Sequence, residues 1–144
     1  MLSQLVLATA IFLAADALRP QTAVAFRVIA HPSVQPSSLS RAQLSAIFMR
    51  RTRSWADGTE VRPVEPPSRA KVREEFSHAV HGKSVAYVTR YWHRVIFAGR
   101  GVPPEELPSD AAVLEYVRTH RGAIGYIHGA TPWGEGVKPL TVTP

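Results

Sequence analysis

The segment "PPSRAKVREEF", residues 66–76, places a hydroxyl and three cations, Ser68, Arg69, Lys71 and Arg73, at the opening of a stretch with helical spacing. Backbone N–H groups at a helix N-terminus, with the positive end of the helix dipole, form a ready site for an anion. Those four side chains would add charged and neutral donors suited to phosphate or another small oxyanion. The same dipole disfavours cations in a first helical turn. That local conflict marks either a binding site or a solvated basic surface, and the residues alone leave both open.

Other residue types capable of chemistry are scattered. His78 and His81 stand three apart, with His93 and His128 further along. No acidic or cysteine partner lies at metal-ligand spacing, so solvent-facing histidines, no metal and no cofactor are expected. Glu74 and Glu75 are adjacent and therefore point to different parts of a helix surface, which does not suit an acid and base pair. Serine, histidine and aspartate occur without a Gly-x-Ser-x-Gly turn. No enzymatic activity is expected.

The elements that must hold these residues alternate between short strands and helices. "FRVIA", 26–30, reads as a strand stopped by His31-Pro32, and the Pro/Ser-rich "HPSVQPSS" reads as a loop. Ser40 with Gln43 forms a capping box, Leu39 and Leu44 take the staple positions, and Leu44, Ile47 and Phe48 make the inner stripe of a first helix. Asp57-Gly58 turns the chain into a strand near Val61–Val64. A second helix, capped by Ser68, turns Val72, Phe76 and Val80 inward and ends at Gly82. A third opens near Ser84 and buries Val85, Val88, Trp92, Val95 and Ile96 before Gly99 and Gly101. A fourth runs from Ser109 to about His120, with Val113 and Val117 inward and Gly122 just beyond. "AIGYI" and "GVKPLTV" read as closing strands. Trp55 and Trp92 are expected in the core, and Trp133, in the turn "TPWGEG", at the surface.

The chain has 144 residues and no cysteine, which fits one domain of modest size and removes disulfides and thiolate metal sites. Its net charge of +6 and pI near 10.3 invite a nucleic-acid reading. The arginines are spread through the chain, only "RRTR" at 50–53 is clustered, and no nucleic-acid motif appears, so a solvated basic face is expected and no nucleic acid. Residues 1–25 differ in kind: "LVLATAIFLAADAL" is apolar, and "AVA" supplies small residues before Phe26. They read as a secretory signal peptide cleaved after Ala25, leaving a domain over 26–144 outside the cytoplasm. "MLSQ" lacks the usual cation, so an uncleaved anchor or a misplaced start codon stays open.

Taken in order, "SSLSRAQLSAIFMRRTRSWADG", "REEF", "YW" at Tyr91-Trp92, "FAGRGVPP" and "GAIGY" resemble a small single-domain branch of the type 2 periplasmic binding proteins, the phosphate ABC transporter substrate-binding proteins among them. The resemblance runs from Val28 to about Val142. It implies an α/β fold, a single lobe with a short mixed sheet flanked by about four helices. It implies solute binding outside the cytoplasm, an oxyanion ligand such as phosphate and a membrane permease complex as partner; the residues offered for that ligand, Ser68, Arg69, Lys71 and Arg73, come from the helix-start reading above. It also implies that "AIGYI" leads back towards a ligand cleft, with Gly125 admitting backbone or ligand; the alternative is a glycine that makes room for a bulky neighbour. Two features of that group are missing: the glycine-rich first loop has no counterpart, and of the Ser-Gly-Thr signature only Ser68 remains. The second functional expectation is therefore an extracytoplasmic interaction or accessory module of the same fold without a ligand. A homodimer would supply the missing wall of a cleft.

Overall fold

The computed structural model describes residues 25–144. The leader expected over residues 1–25 lies, except for Ala25, outside them. Strands β1 (Phe26–Ala30), β2 (Ser38–Ser40), β3 (Arg62–Glu65), β4 (Glu105–Glu106), β5 (Ala123–His128) and β6 (Lys138–Thr143) form one mixed sheet in the order β2-β6-β1-β5-β3-β4. β1 runs antiparallel to both β5 and β6, with Ile29 opposite Gly125 and Val28 opposite Leu140. β3 is parallel to β5 and to β4, and β2 is parallel to β6. Helices α1 (Arg41–Phe48), α2 (Lys71–Phe76) and α4 (Asp110–Thr119) cover it, and α3 (Val85–Phe97) packs outside them, its Val88 and Trp92 against Met49. No helix among the described residues is long and apolar enough to cross a membrane.

Strand alternation divides the core. Ile124 and Tyr126 of β5 point to one face, where Leu44, Ile47 and Phe48 of α1 and Val72 and Phe76 of α2 close over Val28 and Leu140. Ala123 and Ile127 point to the other, against Val113, Leu114 and Val117 of α4. Phe76 stacks on Tyr126 at 3.7 Å between ring centroids, and Phe48 meets both rings edge-on.

The expected capping box is present: the Ser40 hydroxyl accepts from the Gln43 N–H, and the Gln43 side chain accepts from the Ser40 N–H. Ser84 and Ser109 cap α3 and α4 with their hydroxyls alone, accepting from the Tyr87 and Ala112 N–H, and Gly82 takes the left-handed conformation that ends the second helical segment. Gly122, at φ +78° after α4, packs so closely on the Glu60 carbonyl that a side chain has no room there.

Several expectations need correction. Ser68 is not the cap of α2. Pro66 and Pro67 hold the chain extended, the Ala70 N–H bonds back to the Pro67 carbonyl, and Ser68 and Arg69 occupy that turn; the helix starts at Lys71 with Ala70 as its cap. Past Phe76 the helix widens into a π turn over Ser77–His81, where the buried Ser77 hydroxyl donates to the Lys83 carbonyl at 2.7 Å. This swing carries His81 inward, so it does not face solvent: it bonds the Ser45 hydroxyl at 2.8 Å and meets Phe76 edge-on. Ile96 is exposed, because the end of α3 overhangs the core. Trp133 is half-buried, with the Arg27 guanidinium 4.4 Å above its ring. The "HPSVQPSS" loop ends in the short β2, and β4 was not expected at all.

Candidate anion-binding site

β3 ends at Glu65, and the turn that follows it delivers α2 back over the strand end. Arg73, in the first turns of α2, reaches down to that end: its Nη2 lies 2.7 Å from Glu65 Oε2, and its Nη1 donates to the Pro66 carbonyl at 2.6 Å. A second carboxylate, Glu106 of β4, stands 3.6 Å from the same Nη1. The Arg73 and Glu65 side chains are only 12% and 5% exposed. Burial pushes the Glu65 carboxyl up to about 7; Arg73 opposes that rise and Glu106 adds to it. The Tyr126 hydroxyl is buried beside this group without a hydrogen-bond partner, and burial followed by the Glu65 charge raises its pKa well above the usual phenol value.

The Pro67–Ala70 turn divides two clefts. One, of about 350 Å³, is lined by Ser68, Arg73, Trp92, His93, Pro104 and Glu106. The other, of about 610 Å³, is lined by Pro67 and Arg69 from the turn and by Ser109, Asp110 and His128 across from it. Asp110 is already well supplied: it accepts from the His128 N–H at 3.1 Å and from the Thr131 hydroxyl at 2.6 Å, and pairs with His128 Nδ1 at 3.0 Å.

The four residues expected to share one oxyanion are therefore distributed. Ser68 and Arg73 line the first cleft, Arg69 lines the second, and Lys71 stands in solvent, 3.5 Å from Glu75 one helical turn away. Ser68 and Arg69 are exposed and make no hydrogen bond or ion pair among the described residues, so their donors are free for an incoming anion. Arg73 is committed to two carboxylates and a carbonyl. Glu65, Glu106 and Tyr126 were missed by sequence reasoning; the one available signal was an acidic residue at the end of the apolar "VRPV" run. Of the histidines, His78 pairs with Glu74 at 2.8 Å, and no cluster of metal-ligating side chains occurs among the described residues.

Gly125 belongs to packing. It faces α4, where a Cβ would lie 2.8 Å from Val113 Cγ1 and 3.0 Å from Val64 Cγ2. The bulky neighbour, not a ligand, explains the glycine.

No protein-family model and no curated protein matches the chain. Solved structures do. A chain from Clostridium perfringens, assigned as a phosphate ABC transporter substrate-binding protein and solved with bound phosphate, superposes with a TM-score of 0.64 at 17% identity, over 82% of this chain and 44% of that one. An ABC-type phosphate transport receptor from Vibrio cholerae gives 0.63 at 15% identity, over 82% and 46%. PstS from Borrelia burgdorferi gives 0.63 at 14%, over 83% and 47%. The chain thus shares its fold with part of these structures and spans less than half of their length. The neighbours are binding proteins rather than enzymes.

Proposed function

We propose that this chain is an extracytoplasmic solute-binding module that takes a small oxyanion, phosphate first, and works with a membrane permease complex. The observation that carries this reading is the fold shared with part of a substrate-binding protein solved with bound phosphate. The site proposed for contact is the Pro67–Ala70 turn, with the Ser68 hydroxyl and the Arg69 guanidinium as direct donors and Lys71 as a nearby cation. Arg73 shapes the turn through Glu65 and Pro66 and meets the anion only if its ion pair opens. A second copy of the chain is proposed to supply the opposite wall of the cleft. No catalysis and no cofactor enter this reading.

A thermal-shift titration of residues 26–144 with phosphate, sulfate and other oxyanions at fixed ionic strength tests it. A ligand that binds only the folded state raises stability by about 2.7 kcal/mol at a hundredfold excess over its Kd. The expected result is a saturable shift for phosphate that Ser68→Ala with Arg69→Ala abolishes, together with phosphate-dependent dimerisation in sedimentation. A phosphate shift untouched by the double variant moves the site elsewhere. No shift with any anion favours the second reading, an interaction module of the same fold, for which the specific observations are an Arg73 already neutralised by Glu65 and Glu106 and a Phe97 that is 96% exposed.

A further inference from the structure

The outer face of α3 carries a pattern that solute binding does not use. Lys83, Tyr87, Arg90, Arg94 and Phe97 recur at alternating intervals of four and three residues, the spacing of one helical stripe, opposite the buried Val85, Val88 and Trp92. Tyr87 is 41% exposed and Phe97 96% exposed, and Lys83 Nζ lies 4.9 Å from the Tyr87 ring. Between Glu75 and Glu105 the chain has no acidic residue. None of Lys83, Arg90, Arg94 and Arg100 forms an ion pair among the described residues.

A merely solvated helix face tends to mix charge signs at i,i+3 and i,i+4, as α2 and α4 do here with Lys71–Glu75 and Glu115–Arg118. The helix dipole accounts for Arg94 in the last turn, but it gives no reason for Arg90 in the middle and disfavours Lys83 beside the N-cap Ser84. At the far end the apolar side chains gather: Ile96 is 49% and Val102 64% exposed next to Phe97. Arg94 and Arg100 border a shallow cleft of about 400 Å³ there with Tyr91 and Val95. Arg53, from the one clustered basic run, arrives at the same end, its Nη2 3.8 Å from where a Cβ of Gly101 would stand.

The geometry points to this face as a docking surface for an anionic phospholipid bilayer, Arg90, Arg94 and Arg100 engaging the phosphodiester headgroups while Phe97, Ile96 and Val102 enter the acyl boundary. Charge complementarity is the ground for that occupant: the stripe from Lys83 to Phe97 carries no carboxylate, while Glu74 bonds the Val85 N–H at its start and Glu106 shares the cleft beside Ile96. Its apolar part protrudes rather than forming a groove. A protein partner would have to bring a pocket shaped for Phe97, whereas a bilayer accepts a protruding ring wherever it lands. Arginine suits the boundary, since its aliphatic stem lies along apolar surface while the guanidinium stays at headgroup level.

The chain has no cysteine, so a single introduced thiol is labelled uniquely. Full-length Phe97→Cys and, as a control at another exposed position, Glu135→Cys would carry an environment-sensitive fluorophore. Each would be mixed with vesicles of phosphatidylcholine, or of equimolar phosphatidylglycerol and phosphatidylcholine, after circular dichroism has confirmed native folding. The label at position 97 is expected to shift blue on the anionic vesicles only, and the label at 135 to stay unchanged. Adding Arg90→Gln and Arg94→Gln should weaken vesicle partition by roughly 30-fold, about 5-fold per charge. A silent label at 97, or equal responses at 97 and 135, overturns the proposal, the latter by placing membrane contact elsewhere. A response to soluble polyglutamate with none to vesicles also overturns it and assigns the face to an acidic protein.

Discussion

Replacing Gly125 with alanine introduces a methyl group where the structure has filled the space already. Its carbon would meet Val113 Cγ1 at 2.8 Å, Val64 Cγ2 at 3.0 Å and the Val64 carbonyl oxygen at 3.2 Å. The valine methyls can yield by rotation or a small shift of α4, but the carbonyl is tied into the sheet. Overpacking of this kind costs about 1–3 kcal/mol. Alanine returns about 0.5–1 kcal/mol through the lower conformational entropy of the unfolded chain. A net loss of about 1–2 kcal/mol is expected, a large share of a small domain's stability. Urea unfolding followed by tryptophan fluorescence would report it as a lower midpoint at unchanged slope. The diagnostic step is the cycle with Val113→Ala, which removes the clashing methyl. Alone that change costs about 2 kcal/mol, and combined with Gly125→Ala it should cost about 1 kcal/mol less than the sum. A neutral Gly125→Ala, or strict additivity, would refute the account of Gly125 as room made for Val113.

The buried ion pair gives a pH-dependent prediction. Burial raises Glu65 to about 7, above its unfolded value of 4.5, so its contribution to stability is full below pH 4.5 and declines as pH rises through 7. Arg73→Met removes the cation that limits this decline. Its deficit against the unmodified chain should be small at pH 5, near the ~1 kcal/mol of the lost hydrogen bond to Pro66, and grow towards ~3–5 kcal/mol above pH 8. A deficit flat with pH would sink this reading. His81 behaves in the opposite sense. Burial, then the Arg73 and Arg51 charges, depress it to about 4 from 6.5, so its contribution is present above pH 6.5 and lost as pH falls towards 4. His81→Gln, which keeps a polar partner for Ser45, should flatten the acid limb of the stability profile over that window; an unchanged limb would show that His81 titrates normally.

Much of the local structure could be read from residue order because it depends on neighbours a few positions away. The Ser40–Gln43 box, the Ser84 and Ser109 caps, the glycine stops and the apolar stripes of α1 and α4 are of this kind. The Ser68 cap failed for an equally local reason: two prolines and a Pro67–Ala70 hydrogen bond form a turn that competes with the helix and delays its start to Lys71. The short β2 and β4 have almost no signal of their own, since each is a strand only by pairing with a distant partner.

The candidate site was half visible. Sequence alone determined that Ser68, Arg69, Lys71 and Arg73 crowd one helix approach, that the protein is basic, and that no cysteine chemistry operates. It could not say which cations are free, because an arginine's partner is chosen across the sheet. Arg73 is neutralised by Glu65 at the end of its own hairpin of chain and by Glu106 from another strand, while Arg69 meets no carboxylate. The same holds for Gly125, whose reason is the Val113 methyl of a helix that precedes it in the chain and returns to it only in the packed layers. Caps, turns and periodicity are short-range in the chain; burial, charge pairing and steric room are short-range only in space, and the tertiary fold alone decides which residues share it.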